Sequence, residues 1–351
     1  MQNKTGDLWF SEALQQWYKV HKRELPWRET RDPYRIWISE IILQQTRVEQ
    51  GLPYYHRFIE AFEDVHALAK AREDEVLTYW QGLGYYSRAR NLHTTAKTVS
   101  SELKGRFPDS YAALLKLKGV GPYTASAIAS FCYGLPHAVV DGNVFRVLSR
   151  VFEVDDAINT SSGQRYFTTL ANSLIDPNHP DLHNQAIMEF GALQCTPKSP
   201  DCPVCPIRER CAAFAKGRVD QLPIKEKKVK IKKRALHYFS VEDAQLKHLI
   251  IKRPNTGLWS GLYEFPSIEL ELGALMSEAV VTDLFGAVKE WALINVDPLI
   301  HKLSHQELYV YVYRVQLDTI HSTGVERDAI QDYPLSALMQ KLLKRLNFYY
   351  L

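Results

Sequence analysis

Leu117-Lys118-Gly119-Val120-Gly121-Pro122-Tyr123-Thr124 joins two segments of helical spacing. Two glycines one residue apart permit a tight turn with positive φ and leave backbone N–H groups exposed at the start of the next helix, Tyr123–Phe131. A turn of this kind either holds a phosphate without reading base sequence or simply lets two helices pack, and the stretch alone does not choose between them. Outward from it, helical spacing runs from Leu8 to about Lys216. Apolar residues recur every three or four positions in Pro33–Glu49, Glu73–Tyr79, Arg88–Leu103 and Gly163–Asn172. Gly82-Leu83-Gly84, Phe107-Pro108-Asp109 and Asp176-Pro177 punctuate them. No alternating pattern interrupts the run, so an all-α first domain is expected over 1–216.

The texture then changes. Residues 225–234 carry seven basic side chains against one acidic, as expected of a linker (217–234) running into a first strand. Beyond it, Ala235–Val241, His248–Lys252 and Leu308–Leu317 read as strands, and Ile268–Ala279 and Leu335–Leu346 as helices. An α+β second domain over 235–351 follows. A chain of 351 residues, 46% hydrophobic and 24% charged, is long enough for two such cores. The net charge of +3 permits nucleic-acid binding without arguing for it. The start of the chain has no signal-peptide pattern and no uncharged apolar run reaches transmembrane length, so a soluble cytoplasmic protein without a membrane partner is expected.

Cys195, Cys202, Cys205 and Cys211 are spaced C-x6-C-x2-C-x5-C. Four thiolates in so short a span suit a metal site better than a disulfide framework. Structural zinc accepts four cysteines, although zinc ribbons bring two close pairs from separate knuckles; the spacing also departs from that of ferredoxins.

Two carboxylates stand out. Glu40 sits in the nearly apolar helical stretch Ile36–Leu43, where desolvation would raise its pKa and suit it to general-acid work. The competing reading is an exposed Glu on a polar stripe. Asp141 follows the apolar run Ala138-Val139-Val140 and precedes a helical segment, so it reads as an N-cap. The two roles are compatible, because a helix N-terminus keeps a capping carboxylate ionised. Cleaving an N-glycosidic bond needs such a pair: one acid to protonate the leaving base, one anion to stabilise the cationic sugar.

The hairpin with four cysteines some 75 residues downstream resembles the helix–hairpin–helix glycosylases of the endonuclease III superfamily. Ser39-Glu40-Ile41-Ile42-Leu43-Gln44-Gln45-Thr46, Val140-Asp141-Gly142-Asn143-Val144, Leu25-Pro26-Trp27-Arg28 and the stretch 81–90 resemble the adenine-excising MutY family in particular. The resemblance implies a [4Fe–4S] cluster on the four cysteines, with Lys198, Arg208 and Arg210 facing DNA or solvent. It implies that Glu40 protonates adenine and that Asp141 stabilises the sugar cation, with Tyr123 and Asn143 in support. Trp27, Arg28 and Gln185 would line the adenine pocket, Gly119 and Gly121 would hold a DNA phosphate, and Gln45 and Tyr85 would fill the gap left by the flipped base. An alternative for Tyr85 is helix-end packing. Bifunctional relatives place a nucleophilic lysine where Tyr123 stands; tyrosine forms no imine, so release of adenine without strand scission is expected.

In the second domain, residues 255–266 resemble the Nudix-like recognition domain of that family, with Tyr263 replacing the commoner Trp. The Glu-rich metal helix of Nudix hydrolases is absent from Ile268–Leu284, which disfavours pyrophosphatase activity. His301-Lys302-Leu303-Ser304-His305 resembles the family's F-S-H loop for the oxidised guanine, with Leu303 in place of Phe; Ser304 and His305 also read as an ordinary turn. The implied partner is double-stranded DNA containing 8-oxoguanine:adenine or guanine:adenine mispairs, bound by a monomer in the bacterial nucleoid.

Overall fold

The computed structural model describes residues 8–226, 231–320 and 324–348; part of the basic run, 227–230, lies outside them. By contacts the chain divides into two compact units, Met1–Lys70 with Asn91–Lys227, and Ala71–Arg90 with Lys228–Leu351. Up to residue 226 the described residues contain helices and no strand: α1 Trp9–His21, α2 Pro33–Leu43, α3 Val48–Ala61, α4 Val65–Lys70, α5 Glu73–Tyr79, α6 Ser87–Ser101, α7 Tyr111–Leu114, α8 Pro122–Tyr133, α9 Gly142–Val151, α10 Ser161–Leu174, α11 Pro180–Leu193 and α12 Ala212–Ala215. The α+β part of the second unit follows, so the expected order of fold classes is observed.

In the first unit, α2 and α8 are apolar on nearly every side and are buried accordingly. Phe10 and Leu14 of α1, Val147 and Leu148 of α9, Phe167 of α10 and Phe190 of α11 form the core beside them. The helix starts are chemically specified. Asp32 accepts from Tyr34 N with Pro33 in the first turn, and Thr160 accepts from Gly163 N ahead of α10.

One expected helix is divided. The apolar spacing of Pro33–Glu49 predicts a continuous rod, but α2 ends at Leu43 and α3 begins at Val48. Between them Gln45 adopts φ 58°, a left-handed conformation that a helix cannot absorb.

The second unit is built on two long parallel strands, β1 Lys232–Glu242 and β8 Gln306–Gln316, paired through their full length. The intervening strands are β2 Lys247–Leu249, β3 Ile251–Lys252, β4 Tyr263–Glu264, β5 Ser267–Leu270, β6 Glu290–Leu293 and β7 Leu299–Lys302, with β9 Gly324–Glu326 after β8. β5 pairs with β1 over Ala235–Tyr238, while β7 and β6 share the far edge of β8. Helix α14, Ala337–Arg345, covers one face through Leu338, Met339, Leu342 and Leu343. Helix α13, Glu278–Phe285, packs on the other through Val281 and Phe285.

The helix expected over Ile268–Ala279 is not formed. Ile268 pairs with His237 as part of β5, Gly273 takes φ 84°, and Ser277 caps a helix that starts only at Glu278. Pairing with the long strand outweighs the local spacing.

Candidate active site

A cavity of about 620 Å³ opens in the first unit among α2, α8, α9 and α11. Its lining brings together Glu40, Tyr123, Asp141, Asn143, Trp27, Arg28, Gln45 and Gln185, eight of the site residues expected from the sequence.

Glu40 is carried by the buried helix α2 and is only 6% exposed, so the polar-stripe reading does not hold. Burial lifts its carboxyl to about 7, against the pull of the Tyr123 hydroxyl beside it and with a push from the charge of Asp141. The Tyr123 hydroxyl donates to Met188 Sδ at 3.3 Å, and burial and both carboxylates hold its proton firmly.

Asp141 occupies a different setting. It is the N-cap of α9: Oδ1 accepts from Asn143 N at 2.9 Å and Val144 N at 2.8 Å, and Oδ2 accepts from Asn143 Nδ2 at 3.0 Å. Burial pushes its pKa up, but these three N–H donors oppose that and favour the anion. Glu40 thus keeps a proton near neutrality, while Asp141 sits in a shell built for negative charge. The support extends outward. Asn143 Oδ1 accepts from Arg146 Nη2 at 2.8 Å, and Arg146 also reaches Gly191 O and Cys195 O. A Cβ on Gly191 would lie 2.6 Å from Asn143 Cβ, so glycine is required for α11 to approach α9 this closely.

On the opposite wall, Glu189 is buried and is gripped by Arg23 and Arg28. Arg28 Nη2 lies 2.7 Å and Arg23 Nη2 2.8 Å from Oε2. Burial alone would raise Glu189, but the two guanidinium groups outweigh it and hold its pKa at about 2. Tyr18 donates to Gln185 Oε1 at 2.6 Å, and Arg28 lies over the Tyr18 ring. Arg23, Glu189 and Gly191 escaped the sequence reading; only proximity in the fold marks them, Arg23 to Glu189 across 166 residues and Gly191 to Asn143 across a shorter stretch.

Gln45 is exposed at the cavity mouth in its left-handed turn. In the hairpin, Gly119 takes φ 79°, and a Cβ there would meet Asn91 Cβ at 2.7 Å. Gly121 is the N-cap of α8, with open space where its Cβ would be, so the helix start is accessible to an approaching anion.

Tyr85, Leu303, Ser304 and His305 belong to the second unit and do not line the cavity. Tyr85, half exposed with φ 46°, shares a hydrogen bond of 2.5 Å with Ser304 Oγ. Tyr86 next to it is buried and donates to Leu335 O. Residues 303–305 form the turn between β7 and β8, with Ser304 and His305 exposed and Leu303 tucked against the sheet core. Tyr263 contacts Tyr333 edge to face and donates to Asp74.

Cys195, Cys202, Cys205 and Cys211 line a single cavity beside α9 and α11. Arg150, buried on α9, donates to Cys195 Sγ at 3.4 Å and to the carbonyls of Thr196 and Pro197. Among the described residues no group of three or more His, Cys, Asp or Glu is gathered around a point that would hold a single metal ion. Four sulfur donors around one space, with a guanidinium against the first, fit a polynuclear iron–sulfur group.

Residues 38–172 match the HhH-GPD superfamily of base excision DNA repair proteins, and residues 237–345 match the NUDIX domain. With the buried acid and the capped aspartate in one cavity, the class is that of a helix–hairpin–helix DNA glycosylase followed by a Nudix-like domain. A thermostable thymine-DNA glycosylase of known structure superposes with a TM-score of 0.54 at 30% identity, covering 59% of this chain and 95% of that one. The adenine DNA glycosylase of Buchnera aphidicola subsp. Baizongia pistaciae is 34% identical over 86% of this chain and 84% of its own. That of Buchnera aphidicola subsp. Schizaphis graminum is 31% identical over 95% and 98%, and the human adenine DNA glycosylase 33% over 88% and 67%. The chain belongs to the adenine DNA glycosylase family.

Proposed function

We propose that the protein removes adenine mispaired with 8-oxoguanine, or with guanine, from double-stranded DNA by hydrolysing the N-glycosidic bond. The observation that carries this reading is the pairing of unlike carboxylates in one cavity: Glu40 is raised to about 7 by burial, and Asp141 is held by three N–H donors. An adenine flipped into the cavity is protonated by Glu40 and leaves, and the same carboxylate then helps position water. Asp141 stabilises the cationic sugar. Tyr123 and Asn143 hold the two carboxylates, and Trp27, Arg28 and Gln185 form the walls of the base pocket. Glu189 fixes the Arg28 guanidinium in that wall.

Gln45 and Tyr85 enter the duplex where the adenine departs, Ser304 and His305 contact the oxidised guanine, and Gly119 and Gly121 receive a backbone phosphate. Leu303, packed against the sheet, supports that turn. In chain order the catalytic domain comprises 1–216, of which 71–90 group by contacts with the second unit, with the recognition domain at 235–351 and a basic linker between them. Cys195, Cys202, Cys205 and Cys211 hold a [4Fe–4S] cluster, which cross-links the loop 195–211. With Tyr123 in place of an amine, no imine forms and the strand stays intact. The protein acts as a monomer on chromosomal DNA in the bacterial cytoplasm.

Single-turnover incubation with an 8-oxoguanine:adenine duplex tests the reading. Free adenine and an alkali-labile, uncut strand are expected, with no borohydride-trapped covalent complex. Absence of adenine release overturns the activity, and a trapped complex overturns the monofunctional reading.

A further inference from the structure

We propose that Asn184 is a positioning residue that sets the Asp141 carboxylate in place through the backbone clip it forms on residues 137–139. The inference rests on the reading of Asp141 as stabiliser of the sugar cation. Residues 135–140 cross from α8 to α9 without entering any sheet; Leu135 N and His137 N bond locally to Ala129 O and Leu135 O, which leaves the peptide groups further along. Those that are buried therefore need partners from elsewhere. Two asparagine side chains supply them. Ala138 N donates to Asn172 Oδ1 at 3.1 Å, and Val139 N donates to Asn184 Oδ1 at 3.1 Å. Asn184 Nδ2 in turn donates to His137 O at 2.8 Å and to Ser130 Oγ at 2.9 Å.

Asn184 is fully buried on α11, immediately before Gln185 in the cavity wall. Its amide offers one acceptor and two donors in a single plane, and all three are used. Aspartate lacks the donors and leucine lacks both functions. Val139 stands two residues before Asp141, so the segment that delivers the carboxylate is gripped from α11 while its far side is fixed by the start of α9. Releasing the grip frees the segment to shift by a fraction of an ångström. Such a shift changes the distance from the carboxylate to a cationic sugar without altering the pocket or the DNA-binding turns.

The test uses the full chain and two duplexes in which 8-oxoguanine lies opposite either a cationic pyrrolidine nucleotide or a neutral tetrahydrofuran nucleotide. The ratio of the two affinities reads the carboxylate at the sugar. In the parent the cation is preferred, and Asp141→Asn removes the preference. Asn184→Leu is expected to lower the ratio about tenfold with tetrahydrofuran affinity unchanged, as a sub-ångström misplacement demands. Added to Asp141→Asn, it is expected to lower the ratio no further, since both changes act through one group. An unchanged ratio in Asn184→Leu, or an equal fall for both duplexes, overturns the proposal. An unchanged ratio in Asp141→Asn overturns the reading of Asp141 instead. Should Asn184→Leu fail to fold by circular dichroism, Asn172→Ala decides. That residue is exposed, and its loss is expected to lower the ratio about threefold as a weaker tether on the same segment; no change there sinks the idea.

Discussion

Glu40 and Asp141 share one cavity, and burial, reinforced by the charge of Asp141, lifts the Glu40 carboxyl to about 7. In the proposed reaction Glu40 acts in its protonated form, whose supply falls as pH rises through 7. The single-turnover rate of adenine release is expected to drop about tenfold per pH unit above that point. Glu40→Gln abolishes the dependence and slows release by about a thousandfold or more, while affinity for the duplex is kept. A flat pH profile in the parent enzyme would remove Glu40 from the role of acid.

The same raised pKa has a consequence for stability. A carboxyl whose folded pKa exceeds its unfolded one contributes stability below the unfolded pKa of about 4.5 and loses it as pH rises towards 7. Glu40→Gln is therefore expected to gain on the parent by about 3 kcal/mol at pH 8 but not at pH 4.5. Urea unfolding at the two pH values measures the difference.

Glu189 runs the other way. Its folded pKa, about 2, lies below the ordinary carboxylate value, so its stabilising contribution is present above 4.5 and is lost as pH falls towards 2. Glu189→Gln takes the buried anion from Arg28 and leaves Arg23 only its exposed partner Glu49, and is expected to cost about 3 kcal/mol at pH 7, with a smaller acid-induced loss than in the parent. Equal acid sensitivity of parent and variant would show that the cluster contributes nothing.

Tyr85 and Ser304, joined by their hydroxyls, should act as one unit in reading the base opposite adenine. Tyr85→Phe and Ser304→Ala are each expected to narrow the preference for 8-oxoguanine:adenine over guanine:adenine by about threefold, and the double variant by no more than either. Additive losses would separate the two residues. Both are exposed, so unfolding midpoints should hardly move.

Iron and acid-labile sulfide analysis of the purified chain is expected to give four of each per molecule. Zinc in their place would replace the cluster assignment with a mononuclear site. Cys202→Ser is expected to lower metal content and duplex affinity together.

Much of the first unit was legible because its signals are local. The hairpin glycines, the four cysteines and the cap at Asp141 announce themselves within a few residues. For Glu40 the apolar stretch left burial and a polar stripe both open, and only the packing of α2 on every side decides for burial. What escaped was non-local or carried no punctuation. The break at 44–47 has neither Gly nor Pro, and its left-handed residue is Gln45. Ile268–Ala279 holds enough apolar residues for a helix, and only the partner strand 30 residues upstream makes its start a strand. Arg23 and Glu189 look like ordinary surface charges until α11 brings them together. The grouping of 71–90 with the second unit rests on contacts such as Tyr86 with Leu335, which no local pattern foretells.

Because the carboxylate that caps α9 is also the anion of the cavity, architecture and chemistry draw on the same atoms of Asp141. A change to Ala forfeits both and weakens the helix start by about 1 kcal/mol. Asn, Ser and Thr all keep an oxygen for the peptide N–H groups while surrendering the charge, but among them only Asn also keeps the planar shape of the carboxylate. A lineage of this fold drifting from catalyst to mere lesion binder would therefore find its least damaging exit through asparagine at that position.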